Sequence, residues 1–307
     1  MLLGGRSHER WTIWAGFAAL CVLVSSSWLL PFEANDGPWS LVKQSCFYGV
    51  VGLVVALVGS YRSLWSRLQR NAAARLRLAG ASVMLFGVPA VVRTWTQHGV
   101  SDVDQAALFG LVPFVVVVAA MGREPLAGEE FAVRRFFAPA LAAFCGVLLA
   151  LSFGLPVSVR ARAMFGAVLA VVVVVGLASA RIYRLLRGVG MMEAFAVVCL
   201  SNAMFLAACS PFSDGNWRDE AASLVSLSSL YYLLELVLLI WLLRKMSPVR
   251  LAARYLVVPL LIVLEGLVML RPDFTLRIEV GLTLLVSGTG YLLLSRRQNS
   301  DSVLSIR

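Results

Sequence analysis

The chain has little charge for its length. Of its 307 residues only 14% are Asp, Glu, Lys or Arg, whereas 60% are hydrophobic, and the mean hydropathy is +0.83. A water-facing surface carries far more charge, so this composition excludes soluble enzymes, DNA-binding proteins and secreted scaffolds. At about 20 apolar residues per crossing, the length allows roughly ten transmembrane helices and leaves no room for a soluble domain. We therefore expect an all-α integral membrane protein.

Residues that perform catalysis or bind metals are also scarce. His8 and His98 are the two histidines, and neither has a partner at catalytic spacing. The five cysteines fall inside apolar runs without a CxxC spacing, which argues against a disulfide framework or a zinc site. No nucleophile–base pair is evident. The sequence therefore predicts no enzymatic activity, no metal and no cofactor.

The basic residues do not form one continuous face. The net charge is +10, but Lys and Arg stand in short clusters between apolar runs, a pattern that marks membrane topology rather than a nucleic-acid surface. The expected partners are membrane lipid and a small-molecule substrate, with no nucleic acid. The apolar runs predict ten spans, near residues 11–31, 40–60, 79–98, 103–121, 136–153, 162–180, 191–210, 221–243, 249–270 and 278–295.

The positions of Lys and Arg also predict an orientation. If the N-terminus is cytosolic, 20 of the 27 fall in cytosolic segments and five in outer segments, while Lys43 and Arg93 lie inside spans or at their edges. Cytosolic loops of membrane proteins carry such an excess of basic residues. We therefore expect a protein of the plasma (inner) membrane with both termini in the cytosol, where residues 296–307 form a tail.

One segment of the chain recurs. Residues 101–113 (SDVDQAALFGLVP) match residues 247–259 (SPVRLAARYLVVP) without a gap, with six identities in 13 positions at an offset of 146. The first copy opens the fourth predicted span and the second copy opens the ninth. A separation of five spans reverses direction across the membrane. The sequence therefore predicts two inverted five-helix repeats, residues 1–153 and 160–295, an arrangement found in many secondary transporters.

These elements resemble a known family. A Ser-x-Val near the start of a span, an Ala-rich turn, a mid-span Pro and then Gly122-Arg-Glu-Pro125 resemble the EamA-like families of the drug/metabolite transporter superfamily. Ser247-Pro-Val, Pro259 and Leu270-Arg-Pro272 form a similar element in the second half. The resemblance covers nearly the whole chain as two five-helix halves.

One position departs from the family pattern. Family members often carry a Gly-Glu pair after both the fourth and the ninth helix, and this chain has Glu124 in the first half but Arg271 in the second. The subfamily and the substrate therefore stay open. The resemblance implies a secondary transporter that moves a small metabolite, amino-acid-like or amphipathic, by alternating access through a central cavity, with export as the expected direction.

The alternative is a non-transporting membrane protein of the same fold that acts in lipid sensing or assembly. The two functions differ in what occupies the centre of the helix bundle. A transporter needs a polar-lined cavity open to one side, whereas an interaction protein can fill that space with apolar side chains.

Polar and ionisable residues inside spans are costly, and they are therefore the candidates for substrate binding. Tyr232 and Glu235 are three residues apart on the eighth span and share a helix face. Ser228 lies on the same face, one turn before Tyr232. We expect this face to line a cavity, although an interhelical hydrogen bond would also explain Glu235. Asn202, in the seventh span, is a further candidate that could instead bridge two helices.

Arg93 and Glu265 complete the expected substrate site. They lie in the third and ninth spans, about 7.5 Å and about 9 Å below the same outer boundary, so we expect them to bind a charged solute or to pair directly. Glu193 is expected to form an interfacial ion pair with the basic turn at residues 181–187. Pro113 and Pro259 are expected to kink the fourth and ninth spans as matched hinges.

Overall fold

The computed structural model describes residues 4–26, 39–60, 72–97, 99–121, 135–151, 158–212, 224, 226–270 and 275–295. The described residues are overwhelmingly helical and contain no strand. The sequence motifs at residues 122–125 and 271–272, and the predicted tail at 296–307, lie outside this part of the chain. An all-α protein is therefore confirmed for the residues described.

The described residues between 4 and 151 contribute seven α-helices. In chain order they are α1 (Gly4–Ser25), α2 (Leu41–Ser60), α3 (Ala72–Ser82), α4 (Val88–Thr96), α5 (Asp102–Phe109), α6 (Val112–Met121) and α7 (Phe137–Ala150). A π-helical turn, Val83–Gly87, joins α3 to α4. Residues Gly110 and Leu111 separate α5 from α6, and the N–H of Leu111 bonds back to the carbonyl of Leu108.

The remainder of the described chain contributes six more. They are α8 (Val159–Arg187), α9 (Met191–Cys209), α10 (Leu227–Lys245), α11 (Pro248–Ala252), α12 (Arg254–Leu270) and α13 (Leu276–Leu294). A short 3₁₀ segment, Ser210–Phe212, follows α9. Ala253 alone separates α11 from α12, and it keeps helical dihedral angles.

Hydroxyl side chains mark where several helices begin. The hydroxyls of Ser101, Ser158, Ser226 and Thr275 accept a hydrogen bond from the N–H three residues further on, at the starts of α5, α8, α10 and α13. Such a cap satisfies a backbone donor that has no partner within the helix. These residues stand directly before apolar runs, so the starts of the helices follow from the sequence.

Seven helical stretches in the described residues are long and apolar enough to cross a membrane. Two more apolar helices, Trp11–Ser25 and Phe137–Ala150, are shorter. Large apolar side chains are exposed on the outside of the bundle, among them Leu57, Met204 and Val268, each with at least 70% of its surface accessible. Exposed surface of this kind is unfavourable in water and suits contact with lipid. The fold is therefore compatible with a membrane protein.

The two most extensive helix contacts join α7 to α13 and α2 to α9. Small residues permit both. A side-chain carbon added to Gly146 would lie 2.5 Å from the backbone nitrogen of Leu285, and one added to Gly52 would lie 3.0 Å from Cys199 and Leu200. Backbones this close gain packing and dispersion contacts that larger side chains would prevent, which is how helices associate in lipid.

The two hinge candidates occupy different places in their helices. Pro259 lies inside α12, where it removes a backbone hydrogen bond as expected. Pro113 instead lies in the first turn of α6, just after the break at Gly110 and Leu111. A first-turn residue needs no backbone donor, so Pro113 does not kink a continuous helix, and that part of the expectation is wrong.

Candidate functional site

A cavity of about 640 Å³ lies among the helices. Its walls come from α1, α2, the π-helical turn, α4, α5, α10 and α12. The lining is mostly apolar, and the polar and charged side chains in it include Tyr48, Gln105, Tyr232, Glu235 and Arg254. A volume in this range accommodates a small organic molecule.

Helical spacing explains how the walls form. Asp102, Gln105, Ala106 and Phe109 of α5 all line the cavity. Residues three, four and seven apart share one face of a helix, so one face of α5 forms a wall about 10 Å deep from Asp102 to Phe109. Pro89 and Arg93 of α4, and Gln97 directly after it, are spaced four residues apart and also line the cavity.

The rim of the cavity is charged. Arg93, Gln97 and Asp102 are exposed and line it. The Arg93 guanidinium donates to the Asp102 carboxylate at 3.5 Å, and both side chains are more than 60% exposed. An exposed ion pair of this kind contributes at most about 1 kcal/mol to stability. Because both groups stay accessible, they can meet a charged solute at the entrance.

Glu265 does not join this rim. It lies on α12, outside the cavity lining, and its carboxylate accepts a hydrogen bond of 2.8 Å from the fully buried hydroxyl of Ser25 on α1. The direct pair that we considered for Arg93 and Glu265 is therefore not formed, because each has a different partner. Arg93 and Glu265 lie at similar depths along their helices, but depth does not determine the direction in which each side chain points.

Tyr232 and Glu235 both line the cavity, as the shared helix face predicts. The ring of Tyr232 packs against Trp39, with ring centroids 4.2 Å apart, and Trp39 packs edge-on against Phe47. These aromatic rings form an apolar wall beside the Glu235 carboxylate. Ser228 does not reach the cavity, since its hydroxyl pairs with that of Ser226 at the start of α10.

Asn202 lies outside the cavity and bridges helices instead. It is fully buried, and its amide donates to the carbonyl of Val198 at 2.7 Å and to the hydroxyl of Ser82 at 3.3 Å. Ser82 also pairs with Ser201 at 2.8 Å. Asn202 thus does not line the cavity, and the bridging alternative describes its contacts. The bridge ties α9 to the end of α3.

Arg254 and Tyr255 form the floor of the cavity, and the sequence analysis missed both. Arg254 was counted among the cytosolic cations. It lies at the start of α12 and donates from Nη2 to the Tyr255 hydroxyl at 2.8 Å, with its guanidinium 4.6 Å from the centre of the Tyr255 ring. Tyr255 stacks on Phe109, with centroids 5.7 Å apart. The sequence repeat could have revealed Arg254. It occupies the position that corresponds to Leu108 of the first copy, which is apolar and buried.

An ion pair at the far end of the bundle also differs from expectation. Glu193, in the first turn of α9, pairs with Arg75 of α3 at 2.6 Å and not with the basic turn at residues 181–187. Both side chains are less than 20% exposed. Arg75 and Arg93 lie 18 residues apart on the same helical stretch, so the two ion pairs are separated by about 27 Å along its axis.

No group of three or more His, Cys, Asp or Glu residues within the described ranges could hold a metal ion. What the cavity offers is hydrogen bonding, charge and aromatic surface, which are the means of binding a solute.

Comparison with known proteins establishes the fold alone. No family model matches the chain, and no curated protein matches it. A solved structure described only as "Crystal structure of protein" superposes with a TM-score of 0.63 at 17% identity, over 92% of this chain and 96% of that chain. The fold and the cavity together define the class: in its described residues an all-helical protein, compatible with a membrane, with a cavity among its helices lined by both apolar and polar side chains.

Proposed function

We propose that the protein is a secondary transporter that moves a small metabolite through the cavity by alternating access. The polar lining of the cavity carries this proposal. A bundle that only bound lipid or assembled with partners would gain stability from filling a 640 Å³ space with apolar side chains. This chain instead places Glu235, Gln105 and Arg254 around that space. The observation favours transport over the lipid-sensing or assembly alternative.

The proposed architecture is ten spans in two inverted halves, as in the EamA-like families of the drug/metabolite transporter superfamily. The seven long apolar stretches each count as one span, and α1, α7 and α10 would be the other three. In this count α3 with α4, α5 with α6, and α11 with α12 each make one span. The halves would then be α1 to α7 and α8 to α13.

The pattern of helix contacts supports this count. In two inverted halves, each contact between spans recurs when both span numbers are shifted by five. α8 packs on α6 as α1 packs on α12, and α8 packs on α3 and α4 as α1 packs on α10. The two most extensive contacts, α7 with α13 and α2 with α9, each join spans that are themselves five apart.

The aromatic residues of the sequence repeat add a second argument. Phe109 and Tyr255 occupy equivalent positions in the two copies, at the offset of 146. They also stack on each other, with centroids 5.7 Å apart. Equivalent residues contact each other where a two-fold axis passes between them. The proposed axis therefore runs beside the cavity floor, where a transporter built from inverted repeats holds its substrate.

The two ion pairs suggest how access would alternate. The rim at Arg93 and Asp102 is exposed, while Arg75 and Glu193 pair between the proposed halves at the other end. We propose that this structure is open on the rim side, which faces outward if both termini are in the cytosol of an inner-membrane protein. Opening the other side would separate Arg75 from Glu193, with Pro259 and the break before Pro113 as the bends. Export is the direction we propose.

The test is an untargeted comparison of metabolites between cells that overexpress the protein and cells that lack it. We expect specific solutes to accumulate in the medium of the overexpressing cells. Ala106 lies on the cavity wall, so Ala106→Trp should abolish the accumulation by filling the space. Val103 is on the same helix, 51% exposed and outside the cavity lining, so Val103→Trp should preserve it.

Two results would count against the proposal. If no solute differed between overexpressing and deleted cells, the non-transporting alternative would replace it. If Ala106→Trp, present in the membrane at the level of the Val103 variant, moved the same solutes as the unmodified protein, the cavity would not be the path.

A further inference from the structure

Arg254, at the floor of the cavity, forms no ion pair with another described residue. Its Nη1 atom is buried and has no hydrogen-bond partner, while Nη2 is used by the Tyr255 hydroxyl. The ion pairs between described residues are Arg75 with Glu193 and Arg93 with Asp102, and neither includes Arg254.

The surroundings hold this guanidinium in place. It lies over the ring of Tyr255, and that ring also stacks on Phe109 of α5. A guanidinium that stacks on an aromatic ring is oriented before any ligand arrives, so less conformational entropy is lost when it binds one. Arg254 therefore lines the cavity with an oriented guanidinium, one donor of which, Nη1, has no partner among the described residues.

We propose that Arg254 binds the oxyanion group, a carboxylate or a phosphate, of the solute that enters the cavity. The planar donors of arginine match these groups, and a bound oxyanion would supply the partner that Nη1 lacks. This inference rests on the proposed function for the identity of its ligand as a transported solute, but the anion site can be tested without transport.

The rest of the cavity narrows the class of solute. Asp102 is paired with Arg93 at the rim, whereas Glu235 adds a further carboxylate to the lining. The Glu235 carboxylate would repel a second anionic group and attract a cationic one. Trp39, Phe47 and Tyr232 supply an aromatic wall. The chemistry fits a small solute with an oxyanion at one end, a cationic or hydroxyl group at the other, and an apolar part between them.

The first arm of the test uses the purified protein in detergent and measures its melting temperature against inorganic phosphate and against acetate, with chloride at equal ionic strength as the reference. We expect one or both oxyanions to raise the melting temperature in the millimolar range, and Arg254→Met to abolish the rise. Arg160→Met removes a cation from the exposed start of α8 and should leave the rise intact. Absence of any shift with the unmodified protein would overturn the anion site.

The second arm identifies the transported solutes in cells. Among the solutes that the unmodified protein moves, we expect carboxylates or phosphates, and their accumulation should fall about tenfold or more in Arg254→Met. Arg254→Lys keeps the charge and should recover part of it. If only neutral or cationic solutes moved, the transporter would stand and this inference would fail. If oxyanions stabilised the protein but nothing moved, the site would stand and the proposed function would fail.

Discussion

The glycines of α13 give two substitutions of the same kind, two residues apart, with opposite expected effects. A side-chain carbon added to Gly288 would lie 2.5 Å from the carbonyl oxygen of Pro139 and 2.8 Å from the backbone nitrogen of Ala143. Both are backbone atoms of α7, which cannot rotate away as a side chain would. One added to Gly290 meets nothing within 4 Å.

The expected magnitudes follow from these distances. In Gly288→Ala the added side-chain carbon would lie almost an ångström closer to the α7 backbone than ordinary van der Waals contact allows. The helices α7 and α13 must therefore separate. Such overpacking costs about 1–3 kcal/mol. The better helix propensity of Ala offsets about 0.5–1 kcal/mol of this cost. Gly290→Ala gains that propensity without the clash. We therefore expect Gly288→Ala to be less stable than Gly290→Ala by about 1–3 kcal/mol.

The assay is reversible unfolding of the purified protein in mixed micelles by titration with a denaturing detergent. Both variants have the same composition and the same helix, so the comparison isolates the packing of α7 on α13. Equal unfolding midpoints for the two variants would refute the close approach of these helices.

Three further predictions concern topology and the polar contacts. Reporter fusions should read outside, inside, outside and inside after residues 36, 70, 214 and 307, and an outside signal at residue 70 would contradict the orientation. Asn202→Ala should lower the free energy of unfolding by about 1 kcal/mol while leaving transport per folded molecule unchanged, because Asn202 lies outside the cavity lining. The stability losses of Arg93→Gln and Glu265→Met should add in the double variant, since the two residues have different partners. A clear departure from additivity would indicate that they are coupled.

Much of the helical structure follows from local features of the sequence. The apolar run predicted at 191–210 is Met191–Cys209, and the run at 40–60 is Leu41–Ser60. Length, apolar composition and flanking polar residues determine such helices, because unpaired backbone groups are too costly in lipid. The division of α5 from α6 was not predicted, since a break of two residues within an apolar stretch leaves the average hydropathy unchanged.

The candidate site was predictable only where residues share one helix. Tyr232 and Glu235 both line the cavity because their spacing fixes a common face. Glu265 and Asn202 were misplaced because the direction of a side chain depends on how its helix is rotated against its neighbours. Arg254 was missed for a related reason. A cation near the end of a span can face the lipid headgroups or a cavity, and the surrounding sequence does not distinguish the two.

The central claim, that the cavity opens alternately to the two sides of the membrane, can be tested by thiol labelling. A variant without the five native cysteines would carry one cysteine at Ala106, on the cavity wall. A membrane-impermeant maleimide would be applied to intact cells and to inside-out vesicles. Labelling is irreversible, so even a minor conformation accumulates label with time.

We expect Ala106→Cys to be labelled from both sides, whereas Val103→Cys, exposed beside the rim, should be labelled from the rim side alone. Labelling of Ala106→Cys from one side only, however long the exposure, would contradict alternating access and leave the cavity as a fixed vestibule.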